Sequence, residues 1–300
     1  MQISNFLMLN VGYAEHKGDW NFPNVNSPFA RIYYVIAGSG TVVMGDKRHI
    51  LTPGHMYIIP PFTTHTDFCE GIFEHYYLHI YEETSSGEDI MSAYDFPFEI
   101  EGSDIDRELF SILVQSNQSM TLKSSDPKSY DNETSLIECV KFNRGRPLYL
   151  RMESMGIVSW FIGRFIKDAR PKYMVSDERI RMALKMINSK ISELVGVEQL
   201  AEAARMSTGH FIRLFKEELG CTPMQFLIDR KMMRAKMMLV SESLMIKEIA
   251  YSLGYEDMSY FTRLFKKHVG ITPSQYRQAY NFQATSYHLH WSLLPDKEDD

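Results

Sequence analysis

The sequence contains the stretch Phe211-Ile212-Arg213-Leu214-Phe215-Lys216, and fifty residues later it contains Phe261-Thr262-Arg263-Leu264-Phe265-Lys266. Alignment of residues 207–226 with 257–276 gives nine identities in twenty positions. Identity this high at a fixed spacing marks an internal repeat, which has to be recognised before any other fold assignment. Two copies are too few to stack into a solenoid, so we expect a duplicated binding unit.

Each copy lies on the second of two predicted helices that are joined by a short turn. In the first unit residues 197–204 form a short helix, and Ser207 begins the next one as its N-cap. Residues 246–253 and a helix capped by Asp257 repeat this order. A longer helix from Pro223 to about Leu239 connects the units, because proline is favoured at the first helical position. Two helices joined in this way form a helix-turn-helix.

The outward positions of each second helix suit contact with DNA. Phe211, Leu214 and Phe215 are spaced to face a core, as are their counterparts fifty residues on, so the remaining positions face outward. Ser, Thr and Arg near a helix N-terminus suit base edges, and later Lys residues suit phosphates. A protein-interaction module with solvated basic faces is the alternative, which the tandem arrangement disfavours. The predicted DNA-binding residues are Ser207, Thr208, Gly209, Ile212, Arg213, Lys216, Met258, Ser259, Thr262, Arg263, Lys266 and Lys267.

The charge distribution points to the same part of the chain. Residues 177–280 hold 16 Lys and Arg against 12 Asp and Glu, a net charge of +4, whereas the whole chain has a net charge of −6. A basic segment within an acidic chain is consistent with a polyanionic partner for that segment alone.

Length and composition indicate a soluble chain with two domains. It has 300 residues, of which 44% are hydrophobic and 23% charged. Cys69, Cys139 and Cys221 are few and widely separated, which fits a reducing compartment rather than a disulfide framework. The first residues form no basic signal region, and no apolar run approaches a membrane span. We therefore expect a cytoplasmic protein with no membrane partner.

The first hundred residues read as many short strands separated by Gly and Pro turns, which predicts a small sandwich or barrel. Residues 101–168 are predicted to be a helical support or dimerisation region with a mobile loop at 116–135. Its helix from Pro147 to Lys167 is apolar on more than one face, so the barrel, another helix or a second subunit must bury it. Residues 169–176 are predicted to be a linker, 177–280 the helical DNA-binding domain and 281–300 a tail. The fold class is therefore α+β with several domains.

The C-terminal hundred residues contain Arg213-Leu214-Phe215-Lys216, Gly220 and Thr222-Pro223, and fifty residues later Arg263-Leu264-Phe265-Lys266-Lys267, Gly270 and Thr272-Pro273. In these motifs they resemble the DNA-binding domain of the AraC/XylS family of bacterial transcription regulators. The resemblance implies two helix-turn-helix units that enter successive major grooves, with the helix from Pro223 as connector. Ile212 departs from the family, which often has a polar reader there, and implies apolar contact or looser readout by the first unit. The matching motifs are Leu200-Ala201, Arg213-Leu214-Phe215-Lys216, Gly220, Thr222-Pro223, Ile249-Ala250, Gly254-Tyr255, Ser259-Tyr260-Phe261, Arg263-Leu264-Phe265-Lys266-Lys267, Gly270, Thr272-Pro273 and Tyr276-Arg277.

The N-terminal half resembles the cupin-like sensor domain of the same family through Tyr34 to Gly40, Pro53-Gly54, Pro60-Pro61 and His65. The resemblance implies that a small molecule, often a sugar, binds inside the barrel. Strand alternation places His75, Tyr77 and His79 on one face. The predicted effector-binding residues are Arg31, Tyr33, His65, Phe68, Tyr77 and His79.

Metal binding and catalysis are not expected, although many cupins are metalloenzymes. His75 and His79 are four residues apart on one predicted strand, which separates them by about 13 Å and prevents shared chelation. His288 and His290 have suitable spacing but lie in the tail without a further ligand. No phosphate loop or nucleophile elbow is present, so we expect no cofactor.

These patterns predict a ligand-responsive transcription regulator that binds promoter DNA, acts as a homodimer and contacts RNA polymerase. A carbohydrate is the expected effector. One alternative is a cupin metalloenzyme fused to a DNA-binding module, and another is a regulator whose barrel only dimerises.

Overall fold

A computed structural model describes residues 5–83, 90–131, 133–172, 175–241 and 244–278. A 3₁₀ turn spans Gln118–Met120, and residues 273–278 are helical. The strands are β1 (Asn5–Lys17), β2 (Asn21–Val25), β3 (Ala30–Gly38), β4 (Gly40–Met44), β5 (Lys47–Leu51), β6 (His55–Ile59), β7 (His65–Phe68), β8 (Ile72–Glu83), β9 (Tyr94–Asp95), β10 (Glu99–Glu101) and β11 (Arg170–Pro171). The helices are α1 (Ile90–Ala93), α2 (Asp104–Ser116), α3 (Pro127–Tyr130), α4 (Glu133–Gly145), α5 (Leu148–Ile166), α6 (Glu178–Ser189), α7 (Val197–Ala203), α8 (Thr208–Leu219), α9 (Pro223–Ser241), α10 (Ile246–Ser252) and α11 (Met258–Val269).

Two antiparallel sheets form the N-terminal β-domain. One has five strands in the order β1-β8-β3-β6-β10, and the other has four in the order β2-β7-β4-β5. Within the described ranges the two sheets are not joined by strand pairing, so the predicted barrel is open rather than closed. The predicted fold class, a β-domain followed by a helical domain, is confirmed.

The five-stranded sheet buries both of its faces. Ile32 and Leu78 belong to a core that also contains Phe161 of α5, on the helix side of the sheet. Tyr33 and Tyr77, one residue along in each strand, belong to a second core on the side of the other sheet. This alternation is the one predicted from the period of two in β3 and β8. It directs the polar and aromatic side chains of both strands into the interior.

Helix α5 serves as core on one face and leaves an apolar surface on the other. Val158, Phe161 and Phe165 are fully buried against the sheet and α2. Tyr149 and Met152 remain exposed. The sequence left open whether the barrel, another helix or a second subunit buries α5, and the structure shows the first two on the inner face.

Two predicted segments differ in the structure. Residues 116–135, predicted as a loop, contain the 3₁₀ turn, helix α3 and the first residues of α4, and they pack over the β-domain. In the predicted linker, β11 pairs with β9, and the amide of Lys172 donates to the carbonyl of Ala93 at 2.9 Å. Nonlocal contacts therefore order polar stretches that have no periodicity of their own. The predicted tail, residues 281–300, lies outside the described residues.

The helical domain has two cores that share α9. Phe226 and Leu227, near the start of α9, pack in the core of the first helix-turn-helix, whereas Met232 and Ala235 pack in that of the second. The second core also contains Leu136 and other residues of α4, which packs along α9. The β-domain and the DNA-binding domain are thus joined through α4 and also directly, since the ammonium of Lys236 in α9 lies 4.1 Å from the ring centroid of Phe62. No helix within the described ranges is long and apolar enough to cross a membrane.

Candidate DNA interface and effector site

The two helix-turn-helix units place their second helices on equivalent scaffolds. Phe211 and Phe215 of α8 are fully buried with ring centroids 5.5 Å apart, and Phe261 and Phe265 of α11 are fully buried with centroids 5.9 Å apart. Both helices end at a glycine in the left-handed region, with φ of 75° at Gly220 and 90° at Gly270. Glycine adopts this conformation without steric cost, which explains its recurrence fifty residues on.

The predicted DNA-binding residues lie on the outer faces of these helices. Three of them are half-buried, namely Thr208, Ile212 and Thr262. The others are exposed, namely Ser207, Gly209, Arg213, Lys216, Met258, Ser259, Arg263, Lys266 and Lys267. Because the buried phenylalanines are turned inward, each helix presents a mainly polar outer face, in which Ile212 and Met258 are the apolar members of the predicted set.

The N-termini of α8 and α11 differ in their capping. The carboxylate of Asp257 accepts a hydrogen bond from the amide of Ser259 at 2.7 Å, so it caps α11. Ser207 occupies the same position before α8, but its hydroxyl makes no capping hydrogen bond. The first unit therefore presents a hydroxyl that can reach a ligand, whereas Asp257 is used within the fold.

The two recognition helices also differ in charge. Helix α8 contains two basic and two acidic side chains, whereas α11 contains three Lys or Arg and no Asp or Glu. Arg213 lies 4.0 Å from Glu217 and 3.1 Å from the ring nitrogen of His210. The position of Glu217 is taken by Lys267 in the second copy, and in the described part of the chain Arg263 has no ion pair or hydrogen bond. Helix α11 is thus the stronger electrostatic partner for phosphates.

The interior of the β-domain brings together four of the six predicted effector-binding residues. Arg31, Tyr33, Tyr77 and His79 line one small cavity, with a volume of about 20 Å³. Sequence reasoning did not select Trp20, Asp67 and His75, which line it too. His75 could have been found, because it alternates with Tyr77 and His79 along β8.

His65 and Phe68 lie outside this lining. His65 is buried, but its ring nitrogens lie 2.8 Å from the carbonyl of Thr63 and 3.6 Å from the carboxylate of Asp67. Phe68 points to the opposite face of β7, where the guanidinium of Arg48 lies 4.6 Å from its ring centroid. Since side chains alternate along a strand, the neighbouring Asp67 is the residue that β7 contributes to the cavity.

Several buried polar atoms around the cavity have no hydrogen-bond partner in the part of the chain that the structure describes. Asp67 Oδ1, His75 Nδ1 and His79 Nδ1 have no hydrogen bond to any described residue. Burial strongly lowers the pKa of His79, with a further contribution from Arg31, so its ring is neutral. Such groups are costly unless they are paired, which makes them candidates for hydrogen bonds to a bound molecule.

Arg31 is the central charge of this site and is only 2% exposed. Its guanidinium donates to the phenol oxygen of Tyr130 at 2.8 Å and to the carboxylate of Asp131 at 3.2 Å. Burial opposes its charge, but the neighbouring tyrosines and Asp131 raise the pKa of Arg31 well above its ordinary value. The ionised guanidinium is therefore held by Tyr130 and Asp131 from the segment that was predicted to be a loop, and also by the hydroxyl of Ser27, which accepts from it at 2.6 Å.

The described residues contain no group of three or more His, Cys, Asp or Glu side chains placed to hold a metal ion. His75 and His79 both face the cavity, but within the described ranges they belong to no such group.

Comparison with known families identifies both domains. Residues 10–119 match the AraC-like ligand binding domain. Residues 200–279 match a helix-turn-helix domain.

Individual relatives are more distant. The "Lactose operon transcription activator" of Staphylococcus xylosus is 27% identical over 122 residues, which cover 41% of this chain and 44% of that protein. An uncharacterized HTH-type transcriptional regulator of Haemophilus influenzae is 33% identical over 36% of each chain. The chain thus spans less than half the length of these relatives. The crystal structure of unsaturated fatty acid bound ToxT from Vibrio cholerae covers 95% of this chain and 97% of its own, at 15% identity and a TM-score of 0.44.

Proposed function

The chain belongs to the AraC/XylS family, since it joins an AraC-like ligand binding domain to a helix-turn-helix domain, and we propose that it regulates transcription by binding promoter DNA. The observation that carries this proposal is the paired outward strip of α8 and α11, each fixed by two buried phenylalanines. Arg263 is the base reader in this proposal, and Lys266 and Lys267 contact phosphates.

Selection from random-sequence duplex DNA tests this function. The full chain should enrich a site with two half-sites centred about 10 base pairs apart, because the two units enter successive grooves. A pool that shows no sequence enrichment, or enrichment that persists after both Arg213→Ala and Arg263→Ala are introduced together, would contradict it. The paired change Lys185→Ala and Lys190→Ala removes the exposed basic group of Lys185 in α6 and the half-buried one of Lys190 at its C-cap, and it serves as the matched control.

The proposed effector is a carbohydrate bound inside the β-domain. The unpartnered atoms of Asp67, His75 and His79 offer hydrogen bonds to hydroxyl groups, and the rings of Trp20 and Tyr33 offer apolar faces. The name of the Staphylococcus xylosus relative points in the same direction. A thermal-shift screen with mono- and disaccharides is the test, because a ligand that binds only the folded state raises its apparent stability. A positive sugar should have no effect on the His79→Leu variant.

A homodimer is proposed through the exposed face of α5. Leu148, Tyr149 and Met152 form an exposed apolar strip there. The double change Tyr149→Glu and Met152→Glu should shift the molar mass measured by light scattering to that of a monomer. The same mass for variant and wild type would exclude this face. Contact with RNA polymerase and a cytoplasmic location are parts of the same proposal, because promoter DNA is the partner.

A further inference from the structure

The effector cavity is too small for the ligand proposed above. Its volume of about 20 Å³ is enough for one water molecule. Pockets that hold small organic ligands measure about 300–1,000 Å³. Some part of the wall must therefore move before a carbohydrate enters.

The strap, residues 121–131, and Trp20 are the parts of the wall that come from outside both sheets. Near its start, the amide of Leu122 donates to the phenol oxygen of Tyr77 at 2.8 Å. At its end, the ring of Tyr130 stacks on that of His79 with centroids 5.2 Å apart, and Asp131 pairs with Arg31. Between these anchors, residues 123–125 are exposed and Asp126 is half-buried. The strap is thus anchored at its two ends by residues of the cavity, and Pro127 between these anchors is also buried and lines the cavity.

The contacts of the strap are those that a ligand would make. The guanidinium of Arg31 donates hydrogen bonds to the phenol oxygen of Tyr130 and to a carboxylate oxygen of Asp131. The Tyr130 ring covers His79 as the apolar face of a sugar would. Arg31 and Asp131 are both more than nine-tenths buried, so separating them leaves a charge that needs a replacement partner.

The strap leads directly into α4, which connects it to the DNA-binding domain. Leu136 and Val140 of α4 lie in one apolar cluster with Met232 and Met238 of α9. Helix α9 carries both helix-turn-helix units, with the first core at its start and the second along its remainder. Only residue 132 separates Asp131 from the first residue of α4.

We propose that the strap is an internal ligand of the effector site and that an effector displaces Tyr130 and Asp131 from Arg31. The displacement moves α4 along α9 and so changes the relation of the two DNA-binding units. This inference rests on the proposed function, because it assumes an effector in the β-domain and DNA at the two units. The effector it requires carries oxygen acceptors for Arg31 in place of the phenol and the carboxylate, as hydroxyl or carboxylate groups of a sugar or sugar acid do.

Hydrogen exchange on the full chain without ligand or DNA tests the first step. The Asp131→Ala variant should exchange about tenfold or more faster than wild type in residues 121–131, and α4 and residues 232–238 should follow. Asp46→Ala, which removes a carboxylate from an exposed hairpin turn, is the matched control and should leave these segments unchanged. The inference would be overturned if hydrogen exchange in the strap were unchanged, or if it were faster in the strap but not in α4. If Asp131→Ala fails to fold, the Tyr130→Phe variant, which lacks only one hydroxyl, replaces it and is judged by the same exchange rates.

Chemical rescue tests whether the carboxylate of Asp131 occupies, at Arg31, the place of an effector group. Sodium acetate should restore slow exchange in the strap of Asp131→Ala, whereas sodium chloride at the same ionic strength should not. Equal effects of both salts would show that no carboxylate is bound at Arg31 and would contradict the proposal.

Binding to the operator selected by the wild-type chain tests whether opening of the strap is transmitted through α4 to the DNA-binding units. Asp131→Ala should change operator affinity about tenfold or more, and acetate should reverse part of the change. Wild-type operator affinity in a variant with an open strap would refute this transmission. If the wild-type chain selects no DNA, the proposed function fails, while the exchange measurements still decide whether the strap opens and moves α4.

Discussion

The side-chain ammonium of Lys231 donates a hydrogen bond to the backbone carbonyl of Leu253 at 2.7 Å. A second hydrogen bond runs from the same nitrogen to the carbonyl of Glu193 at 2.8 Å. Leu253 follows α10 in the second unit, and Glu193 precedes α7 in the first, so one buried side chain on the connecting helix joins both units. At Gly254 a Cβ atom would lie 2.8 Å from the backbone of Glu193, which shows how closely the units approach each other.

The Lys231→Met variant should keep both cores but loosen their relative orientation. The change leaves two backbone carbonyls without their donor, which costs about 1–3 kcal/mol of unfolding free energy. Affinity for the selected two-site operator should fall, and the preference for its natural half-site spacing over spacings changed by one base pair should weaken. Lys185→Met, on the exposed face of α6, is the control for the lost charge. Full retention of spacing preference in Lys231→Met would show that other contacts fix the units.

The Arg263→Ala variant should lose about 1–3 kcal/mol of operator binding free energy and relax specificity at one position of the second half-site. Arg213→Ala should lose less, because Arg213 is already engaged by Glu217 and His210. Binding isotherms on operators with each base pair replaced in turn measure both effects. Equal losses of operator binding free energy in the two variants would contradict the inference that Arg263 contributes more to DNA binding than Arg213.

The repeat and its inward and outward faces were predictable, because they depend on local spacing. Phe211 and Phe261 are buried because the helical period places them on the inner faces of their helices. The inward set of β8 was predictable in the same way, from alternation along a single strand. These features need only residues that are close in sequence.

The strap and the buried lysine were not predictable on those grounds. The polar stretch around Pro127 has no apolar period, and it is held by Arg31, about a hundred residues earlier in the sequence. Lys231 is held by carbonyl groups of two separate turns, and backbone carbonyls leave no mark in the sequence. Contacts of this kind become visible only when the chain is folded.

The Lys267→Ala variant should weaken DNA binding to a similar extent for all sequences. Lys267 is exposed on the last turns of α11, where it suits a phosphate rather than a base. The slope of log affinity against log salt concentration should decrease in magnitude by about 1, because one fewer counterion is released. The matched variant Lys185→Ala should keep the wild-type slope. Sequence-dependent losses in Lys267→Ala would instead identify Lys267 as a base reader.

The decrease in the free energy of unfolding at acidic pH should depend on His75. This side chain is 2% exposed and stacks on Phe73 with ring centroids 4.4 Å apart. Burial, with a smaller contribution from His16, lowers the pKa of His75 from 6.5 to about 3. Between these values the unfolded chain binds a proton that the folded chain does not, so the free energy of unfolding falls as the pH falls from 6.5 toward 3.

Phenylalanine at position 75 should keep the apolar contacts and remove this proton uptake. The His75→Phe variant should therefore lose less stability on acidification than wild type, by about 1.4 kcal/mol for each pH unit within the window. Denaturant unfolding of both proteins at a series of pH values between 7 and 4 measures the two slopes. His79, whose pKa burial also lowers, still contributes in the variant, so some acid dependence remains. Parallel curves for His75→Phe and wild type would mean that His75 is protonated in the folded protein as readily as in the unfolded chain.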